Sequence, residues 1–139
     1  MIYIDGACQP NPGGGGWAAI LIFGEHRKLI SGTVEGKTTN QRAEITAAIE
    51  AFKAIEEGWL CDVTVYSDSQ YLVNIMNGDW AIKSNADLFQ EVDLAIGLHT
   101  VEFEWIRGHN GQPENEQCNE LAEKEATKAR NTLIKQGLL

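Results

Sequence analysis

The spacing of apolar side chains alternates between a period of two and a period near 3.6, and the changes mark the expected elements. Met1-Ile2-Tyr3-Ile4 is a short β-prone run that ends at Asp5-Gly6. Gln9-Pro10-Asn11-Pro12-Gly13-Gly14-Gly15-Gly16 is too rich in Gly and Pro to hold a helix and reads as a turn or loop. Residues 17–23 form an apolar run of strand length. Gly24-Glu25-His26-Arg27 then looks like a hairpin into a third strand near residues 28–35. From Thr39 on, Ile45, Ala48, Ile49, Phe52 and Ile55 fall on one helical face, with Gly58 as the stop. A strand at 63–66, a helix at 71–76, an amphipathic segment carrying Leu88, Val92 and residues 94–96, a strand at 101–105 and a long helix from Glu114 toward Gln136 complete the order. This β-β-β-α-β-α-α-β-α succession predicts an α/β fold, a mixed sheet with helices on its faces. Without a repeat, linker or composition break, residues 1–139 read as one domain.

Composition narrows the class. At 139 residues and 43% hydrophobic content the chain can bury roughly two-thirds of its unfolded surface, enough for a core without disulfides or a structural metal. The run at 17–23 falls far short of the about 20 residues of a membrane span, and the N-terminus has no basic start or apolar stretch. Cys8, Cys61 and Cys118 are odd in number, widely spaced and without a CxxC pair, which suits reduced thiols. A cytoplasmic protein with no membrane partner is expected. The net charge of −9 by itself argues against a nucleic-acid partner.

Three acids qualify that argument. Asp5 and Asp68 each end an apolar strand-like run, and if those strands are parallel neighbours both side chains emerge at one edge of the sheet. Each alone has an ordinary explanation, as a turn Asp-Gly or a helix cap. Glu44 lies in the first turn of the strong helix, roughly 75° from the centre of its apolar stripe, whereas Glu50 and Glu57 point well away. Clustered carboxylates repel unless a cation joins them, and hard oxygen ligands suit Mg²⁺ or Mn²⁺. His109 stands in a Gly-flanked loop, where an imidazole can move and titrate near neutral pH. The Gly13–Gly16 run is not followed by Lys-Ser/Thr and is not a nucleotide-binding loop.

Five motifs in order, Tyr3-Ile4-Asp5-Gly6, Asn11-Pro12-Gly13, Thr39-Asn40-Gln41-Arg42-Ala43-Glu44, Ser67-Asp68-Ser69-Gln70-Tyr71, and Gly108-His109 through Pro113-Glu114-Asn115-Glu116, make the chain resemble ribonuclease H of type I over nearly its whole length. The resemblance implies the ribonuclease H-like fold, a five-stranded mixed sheet in which two parallel strands join three antiparallel ones. It implies an endonuclease cutting the RNA strand of RNA/DNA hybrids, with two Mg²⁺ ions as cofactors, Mn²⁺ as substitute, and 5′-phosphate and 3′-hydroxyl ends. By position, Asp5 would bridge the ions, Glu44 and Asp68 would hold the one on the leaving-group side, and His109 would assist proton transfer or product release. Cys8, Asn11, Asn40, Gln41 and Gln70 match residues that read the minor groove. Thr39 and Asn40, with Asn85, match a phosphate pocket on the DNA strand, and Trp80 matches an aromatic that packs there. A monomer is expected.

The chain departs from the family at two places. Where a fourth carboxylate is expected it has Asn119, which can offer an amide oxygen to metal but no charge. Between Gly78 and Asn85 it has only Asp79-Trp80-Ala81-Ile82-Lys83-Ser84, without the extra helix and basic protrusion of many bacterial members. No hybrid-binding domain is expected ahead of Met1. Two alternatives follow: a hybrid-binding form catalytically weakened by Asn119, and a resolvase-like or integrase-like DNA nuclease, against which the Thr39-to-Glu44 and Gly108-His109 motifs speak.

Overall fold

The computed structural model describes residues 1–56 and 58–139, so the expectation for Glu57 lies outside the described residues. Nine elements follow in the predicted order: β1 (Ile2–Gln9), β2 (Gly13–Phe23), β3 (His26–Thr38), α1 (Asn40–Lys53), β4 (Asp62–Ser67), α2 (Gln70–Met76), α3 (Ala86–Ile96), β5 (Thr100–Trp105) and α4 (Pro113–Lys135). The sheet order is β3-β2-β1-β4-β5. β1, β2 and β3 pair antiparallel, while β4 pairs parallel to β1 and β5 parallel to β4. Strand alternation sends Ile2 and Ile4 to a core shared with Ile45, Ile49 and Phe52 of α1 and Phe89 and Val92 of α3. Tyr3 and Ala7 go to the opposite face, against Cys118, Ala122 and Ala126 of α4. No helix among the described residues is long and apolar enough to cross a membrane.

Local differences from the sequence pattern have packing causes. The glycine run is strand rather than loop, because β1 continues to Gln9 and β2 begins at Gly13. Its composition reflects the approach of α4: a Cβ on Gly14 would fall within the backbone of Ala129 and Arg130, and one on Gly16 within that of Ala122 and Ala126. Gly16→Ala should therefore push α4 off the sheet and cost about 1–3 kcal/mol or more, read as a lower melting temperature; an unchanged one would contradict this packing. α1 ends at Lys53, short of Gly58. The Ala54 N–H is shared between Glu50 and Ala51 carbonyls and the Ile55 N–H turns to Phe52, so the last turn tightens and unwinds while Ile55 stays packed on the core. Residues 77–85 join α2 to α3 without a further helix.

Candidate active site

Asp5 lies within β1 rather than at its end. It remains paired with Ala18 of β2, but the parallel ladder to β4 covers only Ile2↔Val65 and Tyr3↔Tyr66. Beyond that point β1 and β4 part, and Asp68 follows directly after β4 ends at Ser67. This gap lets side chains from both faces of the sheet meet. Asp5 shares the alternation of Tyr3 and Ala7 and faces α4, while Glu44 arrives from α1 on the other face. Its approach depends on Gly6, where a Cβ would fall within the backbone of Ala43 and Glu44. Because α1 begins at Asn40 with Thr39 as its cap, Glu44 stands past the first turn, and its position answers to the cluster rather than to the helix dipole.

Asp5, Glu44 and Asp68 each contribute a carboxylate oxygen, all within 4.8 Å of one another. Asp5 is 3% exposed. Its Oδ1 accepts the Gly6 N–H at 2.9 Å and its Oδ2 accepts Asn119 Nδ2 of α4 at 3.0 Å. Glu44 Oε1 accepts Asn40 Nδ2 at 3.3 Å. Burial, and then the charge of Asp68, hold the Asp5 carboxyl far above the ordinary range against the opposing Asn119 and Gly6 hydrogen bonds. Burial pushes Glu44 up to about 7, with the Ser69 hydroxyl opposing and Asp68 reinforcing the shift. Hard oxygen donors concentrated where their charge is poorly solvated are the donor set a divalent cation fits.

A pH dependence follows. Both carboxyls have folded pKa values above their unfolded ones, so their contribution to stability is complete only below the ordinary values of 3.8 for Asp5 and 4.5 for Glu44, and is lost as pH rises through about 7 for Glu44 and higher for Asp5. The metal-free protein should therefore melt at a lower temperature at about pH 8 than at about pH 5, and saturating Mg²⁺ should restore it at the higher pH. Melting curves with EDTA or Mg²⁺ check this, and identical curves in the two would contradict a cation site.

The other candidate residues lie around this centre. Asn119 reaches it by donating to Asp5. His109 is exposed, with φ 55°, and among the described residues no hydrogen bond joins its imidazole to the trio. Asn11 Oδ1 accepts the Asn40 N–H at 3.1 Å, and the Cys8 thiol lies 3.4 Å from the Thr38 carbonyl, so the β1–β2 turn is tied to the start of α1. Gln41 and Gln70 are exposed. Thr39 Oγ1 caps α1 by accepting the Arg42 N–H. The Asn85 amide is engaged at both ends, its Oδ1 by Arg42 at 3.2 Å and its Nδ2 donating to the Tyr71 hydroxyl at 3.0 Å. Trp80, half exposed, lines a groove of about 500 Å³ with Tyr71, Ile75 and Lys83, apart from the trio. Ser69, whose hydroxyl opposes the Glu44 shift, is legible in the sequence only as the cap of the helix after Asp68, and Arg42 turns away to pair with Asp87 at 2.8 Å.

Comparison with known proteins agrees with this geometry. The RNase H family model matches residues 1–127. A ribonuclease H of Moorella thermoacetica is 45% identical over 135 residues, 87% of either chain. Among solved structures, LC9-RNase H1, described as a type 1 RNase H with the type 2 active-site motif, is 32% identical with a TM-score of 0.74, covering 92% of this chain and 72% of that one. LC11-RNase H1 in complex with an RNA/DNA hybrid shares the fold at 24% identity and a TM-score of 0.78, covering 92% and 96%. With three converging acids set in a β3-β2-β1-β4-β5 sheet and a relative this similar over most of its length, the chain belongs to the ribonuclease H family.

Proposed function

We propose that this chain is a type I ribonuclease H that hydrolyses the RNA strand of RNA/DNA hybrids with two Mg²⁺ ions and leaves 5′-phosphate and 3′-hydroxyl ends. The observation that carries the reading is the convergence of Asp5, Glu44 and Asp68 at the gap between β1 and β4. Bound Mg²⁺, or Mn²⁺ in its place, would supply Lewis-acid stabilisation of the scissile phosphate and a water of lowered pKa. Asp5, Glu44 and Asp68 would hold the metal, and Asn119 would offer it an uncharged amide oxygen where a fourth carboxylate is expected. His109 moves a proton or helps the product leave. Cys8, Asn11, Asn40, Gln41 and Gln70 distinguish RNA from DNA through 2′-hydroxyls and base edges. Thr39, Asn40 and Asn85 face a DNA-strand phosphate, and Trp80 packs nearby. The short 77–85 connection and the charge of −9 imply weak binding through polar contacts and metal rather than a basic grip. Three free cysteines suit a reducing, cytoplasmic setting for a monomeric enzyme.

The test is to incubate the protein with an end-labelled hybrid, the matching duplex RNA and the matching duplex DNA, each with Mg²⁺ or EDTA. Metal-dependent cutting of the hybrid's RNA strand alone is expected. Cleavage of the DNA duplex would replace this reading with a DNA nuclease. The Asn119 contact to Asp5 favours one second reading, a hybrid-binding form, which metal-dependent gel shifts without cleavage would establish.

A further inference from the structure

Asp68 leaves the sheet at the end of β4, and the chain leaving β5 closes around it. The Trp105 indole N–H donates to the Asp68 main-chain carbonyl at 3.1 Å. The Ile106 N–H donates to the Ser67 carbonyl at 2.9 Å, extending the β4–β5 ladder past its last side-chain pair. Two residues later the main chain lies so close that a Cβ on Gly108 would stand 2.7 Å from Asp68 Oδ2. His109 follows at once.

Ordinary packing does not account for these contacts. Trp105 is 43% exposed, so burial does not fix its ring, and an indole N–H can only donate. Its partner belongs to the one residue of the trio that stands outside any helix or strand. Gly108 has no room for a side chain on the Oδ2 side, so the absence of a Cβ is what lets this stretch of main chain pass beside the Asp68 carboxylate, and the next residue is His109. We infer that Trp105 and Gly108 are positioning residues that fasten the stem of the His109 loop to Asp68, so that cation binding at the trio and the placement of His109 change together. The inference rests on the metal-dependent reading above.

The test uses the full chain and Mg²⁺ alone, without nucleic acid. Calorimetry gives the affinity, and NMR follows the Trp105 indole N–H and the His109 ring signals. In the unsubstituted protein both sets of signals should follow one saturation curve with the calorimetric affinity. Trp105→Phe keeps a ring and removes the donor; it should weaken Mg²⁺ binding about tenfold and shrink the His109 response, with a melting temperature close to that of the parent. Gly108→Ala should weaken binding further. Mg²⁺ binding that leaves His109 and Trp105 unmoved, or equal affinity in Trp105→Phe, overturns the inference and leaves the metal centre standing. If the unsubstituted protein binds no Mg²⁺, the metal centre falls and the inference with it.

Discussion

Asp5→Asn should slow hybrid hydrolysis at least about a thousandfold, the loss of about 4 kcal/mol of transition-state stabilisation, and at the same time raise the melting temperature of the metal-free protein at about pH 8. Both effects have one origin. Asp5 is the most buried of the three acids and stands against Asp68 and Glu44, so its ionised form is costly until a cation neutralises it. An amide keeps an acceptor for the Gly6 N–H and removes the charge. The stability gain, on the order of 1–3 kcal/mol, should shrink as the pH falls to about 5 and vanish only below the ordinary aspartate value of 3.8, where folded and unfolded chains are both protonated at this residue. Single-turnover cleavage assays and calorimetric melting with EDTA measure the two sides. A lower melting temperature at pH 8 would show that the Asp5 charge is not the strained element.

Asn119→Asp should reverse both signs. Asn119 now places a donor against Asp5 Oδ2 at 3.0 Å, a contact that opposes the raised Asp5 pKa. A carboxylate at 119 turns that contact into repulsion, so the metal-free protein should melt lower at about pH 8. The same substitution adds a charged oxygen ligand, and the metal concentration needed for half-maximal cleavage should fall about tenfold, in line with the strength of ligand-shell effects. Activity at saturating metal should rise less than activity at limiting metal. Parallel titrations with Mg²⁺ and Mn²⁺ check this; equal activity of the two proteins at limiting metal would remove any role for residue 119 as a ligand. Together the two substitutions test whether charge at the trio sets stability and turnover in opposite directions.

The element order and the mixed sheet were legible because long periodic runs such as Ile45, Ala48, Ile49 and Phe52 record which face is buried. Asp5 and Asp68 stood out by their place at the ends of strand-like runs, and Glu44 by its place at the edge of the helical stripe. What escaped depends on neighbours distant in sequence. Gly13–Gly16 has a loop's composition, and only the proximity of α4 explains it as strand. Asp5 looked terminal because the apolar run stops at Ile4, yet β1 continues on β2 while β4 alone departs. The donor role of Asn119, and the contacts of Trp105 and Gly108 with Asp68, depend on amide orientation and main-chain spacing that residue type does not encode.

The parting of β1 from β4 draws the centre from both layers of the molecule: Glu44 comes from the helix on one face, Asn119 from the helix on the other, and Asp5 and Asp68 from the strands between. A partly folded chain in which either layer has yet to dock lacks one of these side chains, so a cation site built from them forms only with the completed fold. On the proposed reading, the capacity to cut would wait for that fold, and a cation bound there would draw the folding equilibrium toward it.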